Sequence, residues 1–299
     1  MLIDQYKAYL QNELNLSPHT VDAYSRDVSE WAEWLTDGDV GKLRPEQVTS
    51  GDVRVWLAGC ARKGLSSVSV RRKTQSLRSF YRYLAKRHGV TVNPASEIKL
   101  AKVAKPLPAY VPEDEMAQLV EKKCDGATEF EQKRNQLILL MLYSTGMRRA
   151  ELRELRDEDI NLSRGELKVL GKRNKERMIP FGKELSEAIR EYVDLRRRST
   201  GEARSERFFV RPNGAPLYDK LIYNVVHQAM IDEGVHSARL SPHVMRHSFA
   251  TDMLNNGASL SAVQHLLGHE SLATTQVYTH ITYRELQQNY QHAHPRAKK

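Results

Sequence analysis

Apolar residues recur at helical spacing behind recognisable helix starts, and this pattern restricts the chain to a mainly helical fold. Ser17-Pro18 places a capping serine before a first-turn proline, the usual start of an α-helix. The apolar residues spaced by three or four positions behind it are Val21, Tyr24, Val28, Trp31 and Leu35. Further helices are predicted from Ser50 to Arg62 and from Ser66 or Ser67 to about Arg87, with Gly89 ending the last one. The N-terminal region is therefore expected to be a bundle of about four helices.

A proline- and lysine-rich segment divides the 299 residues. The segment from Lys99 to Pro112 contains three lysines and three prolines and favours neither helix nor sheet. It predicts a linker near residue 105, between a domain of residues 1–105 and a domain of residues 106–299. An ordinary surface loop is the alternative.

The second region is also mostly helical, with one exception. From Gly165 to Phe181, Leu167 and Val169 alternate with polar residues, a Gly-Lys-Arg-Asn turn follows, and Met178-Ile179-Pro180 comes after it. This predicts a β-hairpin with Lys172 at its tip. The expected fold class is mainly α, with a small β-hairpin or sheet in an α-rich C-terminal domain.

Positive charge is concentrated in the N-terminal third. The chain has a net charge of +9, and no acidic residue lies between Asp52 and Glu97, where ten basic residues fall. Several of these share the polar face of the predicted helix that ends near Arg87, which favours contact with a DNA or RNA backbone. A solvated helix face is the alternative. The candidate nucleic-acid contacts are Arg71, Arg72, Lys73, Arg78, Arg82 and Lys86.

Several protein classes are excluded by what the chain lacks. Its longest purely apolar stretch, Leu137 to Tyr143, has seven residues, against the roughly 20 needed to span a membrane. Only Cys60 and Cys124 are present, which implies no disulfide framework and favours a reducing compartment. The sequence contains no phosphate-binding GxxxxGK[ST] loop, GxGxxG, HExxH, CxxC or GxSxG motif. No metal or nucleotide cofactor is expected.

Four polar residues near predicted helix ends are candidates for chemistry. Arg148 follows a glycine-interrupted break after an apolar helix, and Glu151 lies close enough to orient its guanidinium. His243 and Arg246 lie one turn apart at the start of a helix that begins with Ser241-Pro242, where free N–H groups favour an anion. Taken alone, Arg148 also fits a surface ion pair and the His-x-x-Arg pair is common.

Two more candidates lie near the C-terminus. Leu266 and Leu267 are expected in the core, with Gly268 ending their helix and His269 exposed beyond it. Tyr278 follows in a Ser/Thr-rich stretch, and a half-buried packing tyrosine is the alternative for it.

Six motifs in order, end to end, make the chain resemble the tyrosine recombinases, and within them the Xer recombinases of bacterial chromosome-dimer resolution. The motifs are Leu16-Ser17-Pro18-His19-Thr20 with Tyr24 and Asp27, Tyr143-Ser144-Thr145-Gly146-Met147-Arg148 with Glu151-Leu152, Gly171-Lys172-Arg173-Asn174-Lys175-Glu176-Arg177, Ser241-Pro242-His243-Val244-Met245-Arg246-His247, Leu266-Leu267-Gly268-His269 with Thr274-Thr275-Gln276-Val277-Tyr278-Thr279-His280, and the tail His294-Pro295-Arg296-Ala297. Arg173 departs from this pattern, which has glycine there, and leaves the shape of the hairpin turn open.

The resemblance implies a SAM-like core-binding domain followed by a catalytic domain, and a role for each matched residue. Tyr278 would attack a DNA phosphodiester, forming a 3′-phosphotyrosyl link and freeing a 5′-hydroxyl. Two arginines would stabilise the non-bridging oxygens, and a histidine would add a hydrogen bond to them. A second histidine would accept the tyrosine proton and a lysine would protonate the leaving oxygen. The implied catalytic set is Arg148, Lys172, His243, Arg246, His269 and Tyr278.

The resemblance also implies partners. Four protomers would assemble on double-stranded DNA, as a homotetramer or as a heterotetramer with a second Xer recombinase, in the cytoplasm at the nucleoid and away from membranes. A septal DNA translocase is a further possible partner. The segment through Leu286 and Tyr290 suits a helix that packs into a neighbouring protomer or within the same chain.

Three other functions are alternatives. A catalytically silent DNA-binding relative would have no need of the six residues together. A mobile-element or phage integrase often carries an arm-binding domain, for which the early start of the helical pattern leaves no room. A type IB topoisomerase would relax supercoiled DNA that lacks any special site.

Overall fold

The structure is a computed structural model that describes residues 2–100, 109–171, 176–201, 205–237, 239–268 and 283–297. The chain forms two compact units, Met1–Pro106 (the N-terminal unit) and Leu107–Lys299 (the C-terminal unit). Each unit has its own hydrophobic core. None of the described helices is long and apolar enough to cross a membrane.

Among residues 2–100, four α-helices build the N-terminal unit, as predicted. They are α1 (Leu2–Ala8, continued by a π-helical turn Tyr9–Glu13), α2 (Pro18–Leu35), α3 (Ser50–Arg62) and α4 (Ser67–His88). The predicted starts are confirmed: Ser17 Oγ accepts from the Thr20 N–H at 3.3 Å, and Ser66 Oγ accepts from the Ser69 N–H at 3.2 Å. Gly89 ends α4 with a left-handed backbone, φ 70°.

The core of this unit lies between α2 and α4. Trp31 of α2 is fully buried and meets the rings of Phe80 and Tyr81 edge to face, at centroid distances of 6.2 and 6.0 Å. Leu77 and Leu84 are buried beside them, so an apolar face of α4 packs against the core.

A buried ionic cluster also joins α2 to α4 and corrects one expectation about the basic helix. Asp27 of α2 is fully buried and accepts hydrogen bonds from Arg72 at 2.6 Å, Ser76 at 2.8 Å and Lys73 at 3.2 Å. Lys73, 3 % exposed, is also paired with Glu30. Although α4 itself lacks acids, α2 supplies them, so the prediction that Lys73 offers its ammonium to nucleic acid is wrong for this folded unit.

The C-terminal unit is built around one buried helix. Its helices are α5 (Glu113–Glu121), α6 (Glu129–Thr145), α7 (Arg149–Glu154), α8 (Lys183–Thr200), α9 (Asp219–Asp232), α10 (Pro242–Asn255), α11 (Leu260–Leu267) and α12 (Tyr283–Ala293). Every residue of α6 from Leu137 to Thr145 is buried, because α8, α9, α10 and α5 pack around it. An apolar helix enclosed in this way can carry functional groups at its end with little freedom to move.

A three-stranded antiparallel sheet flanks these helices. It consists of β1 (Ile160–Asn161), β2 (Glu166–Leu170) and β3 (Glu176–Pro180), with β2 in the centre. Leu170 pairs with Glu176 at the end of the β2–β3 hairpin, so the predicted strands are confirmed, whereas β1 was not predicted. Lys172 lies outside the described residues.

Helix α12 packs within its own chain in this structure. Tyr290 is 1 % exposed, and its hydroxyl donates to the Ser144 carbonyl of α6 at 3.0 Å. His294 stacks on Tyr290 at 4.9 Å between ring centroids and is bonded to the Tyr143 carbonyl at 3.3 Å. The C-terminal segment therefore covers the last turn of α6.

Candidate active site

Arg148 follows a helix end that requires glycine. Gly146 ends α6 with φ 59°, and a Cβ there would lie 2.4 Å from Cδ1 of Phe249 on α10. The left-handed backbone and the close approach both exclude a side chain. The chain turns sharply at Gly146, and Arg148 becomes the residue that precedes α7.

Glu151 orients the Arg148 guanidinium, as predicted. Arg148 Nη1 donates to Glu151 Oε1 at 2.8 Å, and the Arg148 backbone N–H donates to Oε2 at 2.7 Å. Burial would raise the pKa of Glu151, but hydrogen bonds from Arg177 and Arg148 outweigh it and hold the pKa below its usual value. Glu151 is therefore an ionised acceptor at neutral pH.

Arg246 joins two helix ends. It is 8 % exposed, and it donates from Nη1 to the Gly146 carbonyl and from Nη2 to the Leu267 carbonyl, both at 2.6 Å. Burial, together with the charge of Arg148, lowers the pKa of Arg246 to about 10. The side chain is still a cation at neutral pH.

The two arginines meet at the end of α11. Arg246 binds the Leu267 carbonyl, and Arg148 Nη2 donates to the next carbonyl, that of Gly268, at 3.3 Å. Gly268 ends α11 with φ 62°, as predicted. Two guanidinium cations bound to consecutive carbonyls form the positive centre of this site, and planar cations of this kind recognise phosphate oxygens.

His243 lies in the first turn of α10, one turn from Arg246, as predicted. Partial burial of the ring lowers its pKa below the ordinary value, and the positive charges of Arg149, His247 and Arg246 lower it further. The imidazole is therefore neutral at neutral pH and can accept a proton.

The structure brings together Arg148, His243 and Arg246 of the implied catalytic set. Lys172, His269 and Tyr278 lie outside the described residues. His269 directly follows Gly268, whose carbonyl binds Arg148. Over the described ranges, no group of three or more His, Cys, Asp and Glu side chains is arranged to hold a metal ion.

Arg177 of β3 is a site neighbour that the sequence analysis did not single out. Its guanidinium forms a two-bond fork with Glu151, at 3.0 and 2.7 Å. The sequence does indicate that Arg177 faces inward, because it lies two residues from Ile179 and therefore on the same face of β3, and Ile179 is fully buried. An arginine on the inward face of a strand requires an internal partner.

The candidate nucleic-acid contacts on α4 divide by exposure. Arg71, Arg82 and Lys86 are exposed, although Lys86 is paired with Glu13 at 3.2 Å. Arg72 is half-buried and bound to Asp27. Arg78 donates to the carbonyls of Ala95, Ser96 and Ile98, and so fixes the segment that follows α4.

Two protein-family models match the chain. The phage integrase family matches residues 109–285, and the N-terminal SAM-like domain of phage integrases matches residues 3–88. Together they span both units.

Relatives match over nearly the whole chain. Tyrosine recombinase XerC of Oceanobacillus iheyensis is 38% identical over 300 residues, covering 99% of this chain and 97% of the relative. Tyrosine recombinase XerC of Lactobacillus leichmannii is 38% identical over 298 residues, covering 99% of each. The fold is shared with a crystal structure of the XerH site-specific recombinase bound to difH substrate, with a TM-score of 0.71, 21% identity, and coverage of 94% of this chain and 83% of that one. The chain therefore belongs to the phage integrase family as a tyrosine recombinase of the XerC type, an enzyme that cleaves and religates DNA in site-specific recombination.

Proposed function

We propose that this chain exchanges DNA strands through a 3′-phosphotyrosyl intermediate formed by Tyr278. The observation that carries the proposal is the convergence of Arg148 and Arg246 on the consecutive carbonyls of Leu267 and Gly268. This convergence places two planar cations beside the point where the chain continues to His269 and Tyr278.

The two arginines suit the charge that develops in phosphodiester cleavage. Attack of a tyrosine hydroxyl on phosphorus increases the negative charge on the two non-bridging oxygens. Because Arg148 and Arg246 are held by carbonyls and by Glu151 before DNA arrives, little reorganisation is needed when that charge appears. A preorganised donor of this kind typically contributes about 10²–10³-fold to the rate.

The proton transfers are assigned to histidine and lysine. His243, held neutral, accepts the Tyr278 proton, since a phenol with a pKa near 10 is a poor nucleophile at neutral pH. By the resemblance to the family, His269 donates a hydrogen bond to the phosphate and Lys172 protonates the leaving 5′-oxygen. The phosphotyrosyl bond retains the energy of the broken bond, so a second 5′-hydroxyl can displace the tyrosine.

The proposed reaction also gives each of the two domains a role. Residues 1–105 form a core-binding domain that contacts duplex DNA through the exposed basic residues of α4, and residues 106–299 form the catalytic domain. The family models that match each part and the exposure of Arg71 and Arg82 support these two roles.

The biological reaction we propose is the resolution of chromosome dimers at a dif-type site during segregation, in the cytoplasm at the nucleoid. Relatives named XerC that match end to end support it, as does the shared fold with XerH bound to difH. The recombinase would act as a tetramer of one or two Xer proteins, with a septal DNA translocase as a possible activator.

The test is covalent capture on a nicked duplex that carries the chromosomal resolution site, in EDTA. We expect a denaturation-resistant protein–DNA adduct from the unaltered protein and none from Tyr278→Phe. Tyr283→Phe, which removes the hydroxyl of a neighbouring 37 % exposed tyrosine, is the matched control and retains the adduct.

The other outcomes separate the rival functions. DNA binding without an adduct, even when a second recombinase from the same cell is added, would identify a silent DNA-binding relative. An adduct that survives Tyr278→Phe would assign the nucleophile to another residue. Relaxation of a supercoiled plasmid without the site would identify a topoisomerase.

A further inference from the structure

Glu151 is a buried carboxylate shared between two arginines. It is 7 % exposed and receives two hydrogen bonds from Arg148, one from the backbone and one from the side chain. It receives two more from the Arg177 guanidinium, one on each oxygen. A buried carboxylate with four charge-assisted or backbone donors is held in one orientation.

All three nitrogens of the Arg177 guanidinium donate hydrogen bonds. Nη1 and Nη2 bind Glu151, and Nε donates to the Leu266 carbonyl of α11 at 2.7 Å. Its side chain is 11 % exposed. A Cβ added to Gly268 would lie 3.3 Å from Cδ and Nη1 of Arg177, so this side chain packs along the end of α11.

The charge balance shows what the second arginine changes. Arg148, Glu151 and Arg177 together carry one net positive charge, whereas Arg148 and Glu151 alone would be neutral. Without Arg177, the carboxylate would compete with a phosphate for the Arg148 guanidinium, because both are oxyanions that can accept two parallel hydrogen bonds from a guanidinium. With Arg177 in place, the negative charge of Glu151 is shared between two cations.

Arg177 also connects elements that carry different parts of the implied catalytic set. It lies on β3, directly after the segment that contains Lys172. Through Glu151 it reaches Arg148, and through the Leu266 carbonyl it reaches the helix end that precedes His269. One side chain therefore ties together β3, α7 and α11.

We propose that Arg177 is a positioning residue of the cleavage reaction: it compensates the charge of Glu151 and holds that carboxylate so that Arg148 can bind the scissile phosphate. The inference rests on the proposed function, because it assigns Arg177 a role in the same phosphotyrosyl step. Arg177 acts through Glu151 and Arg148 and makes no contact with the reacting atoms itself.

The experiment measures single-turnover cleavage and DNA affinity on the nicked duplex. Arg177→Met is expected to slow cleavage about 100-fold, the effect of misplacing a catalytic group by about 1 Å, and to leave the DNA dissociation constant within about twofold. The double variant Glu151→Gln with Arg177→Met removes the unbalanced carboxylate as well. The double variant is expected to cleave about tenfold faster than Arg177→Met, a coupling typical of residues in direct contact.

A matched control separates this role from general stability. Arg196 is 14 % exposed, forms a two-bond fork with Asp157 and donates to the Phe208 carbonyl. Among the described residues, neither partner is bonded to Arg148, Glu151 or Arg246. Arg196→Met is expected to lower the unfolding temperature much as Arg177→Met does, while the folded protein cleaves at the unaltered rate. Arg177→Lys, which keeps a charge but cannot form the fork, tests the same point if the methionine variant does not fold; it is expected to slow cleavage as well.

Each outcome has one meaning. If the unaltered protein forms no adduct, the proposed function fails and the inference fails with it. If the unaltered protein cleaves and folded Arg177→Met or Arg177→Lys cleaves equally fast, only the inference about Arg177 is overturned. A double variant no faster than Arg177→Met would also overturn it, because the role assigned to Arg177 is to balance Glu151.

Discussion

Gly146 shows how one residue can decide the geometry around Arg148 and Arg246. Its carbonyl accepts a hydrogen bond from Arg246, and its left-handed backbone turns the chain toward Arg148 two residues later. The ring of Phe249 occupies the space where a side chain would project. Backbone conformation, packing and the hydrogen bond from Arg246 therefore coincide at one position.

Gly146→Ala is expected to destabilise the C-terminal unit by about 3 kcal/mol, the sum of a left-handed alanine and an overpacked core. Gly234→Ala is the control, since Gly234 has φ 66° but no atom within 4 Å of the added methyl group. It is expected to cost about 1 kcal/mol, the conformational part alone. Urea unfolding followed by circular dichroism measures both. Equal losses would show that the Phe249 contact is unimportant.

We predict that His243, the proposed base, sets the pH dependence of cleavage. The base must be neutral to accept a proton, and its pKa is held below the ordinary 6.5 by partial burial and by Arg149. As the pH falls from 8, the second-order cleavage rate constant at limiting DNA should therefore decline with a midpoint below pH 6.5. That rate constant reports the free enzyme.

Arg149→Ala is the informative variant for this prediction. It removes a positive charge beside His243, so the midpoint of the decline should move to higher pH. An unchanged midpoint would contradict the assignment of His243 as the base, or of Arg149 as the charge that lowers its pKa.

Between elements, the cluster around Asp27 determines how α2 and α4 pack. Asp27 is fully buried, and its carboxylate is balanced by Lys73 and Arg72 from α4. A buried pair of this kind adds little over an apolar contact, but removing one partner leaves an uncompensated charge. The cluster therefore opposes any sliding of α4 along α2.

Asp27→Ala is expected to destabilise the N-terminal unit by about 3–5 kcal/mol, because Lys73 loses a buried counter-ion. Trp31, Trp34 and Trp56 are the three tryptophans of the chain and all lie in this unit, so tryptophan fluorescence during urea unfolding reports it alone. Glu13→Ala, which removes an exposed partner of Lys86 and Arg87, is the control and should have a much smaller effect. Similar shifts from the two variants would argue against a special role for the buried cluster.

For the whole molecule, the net charge of +9 matters through its distribution. Several of the basic side chains on α4 are used internally, by Asp27 and by backbone carbonyls, whereas Arg71 and Arg82 are exposed. Counterion release depends on the exposed cations that reach phosphates. The number of basic residues in the sequence therefore overestimates the electrostatic part of DNA binding.

Replacing Arg71 and Arg82 together by alanine is expected to weaken DNA binding and to reduce the slope of log affinity against log salt concentration by about two. Lys133→Ala, which removes a cation of α6 that is paired with Glu191 of α8, is the control and should leave the slope unchanged. A titration by fluorescence anisotropy at several salt concentrations measures the slope. An unchanged slope in the double variant would show that this face of α4 does not contact DNA.

The sequence by itself determined the elements whose ends depend on near neighbours. The starts of α2, α4 and α10, the glycine ends of α6 and α11, and the two strands of the β2–β3 hairpin were all predicted. Caps, turns and apolar spacing involve residues within about four positions of one another, so the information is local. The pairing of Arg148 with Glu151, three residues apart, was predictable for the same reason.

Only the tertiary structure decided which charges are balanced inside the protein and which remain at the surface. Lys73 is buried because Asp27, 46 positions away, lies opposite it, and Arg177 reaches Glu151 across 26 positions. Arg246 binds the Gly146 carbonyl across 100 positions. Whether α12 packs within the chain was likewise open until its contacts with α6 were known. An ionic or carbonyl partner is selected by proximity after folding, and that proximity depends on the packing of the whole unit rather than on local spacing.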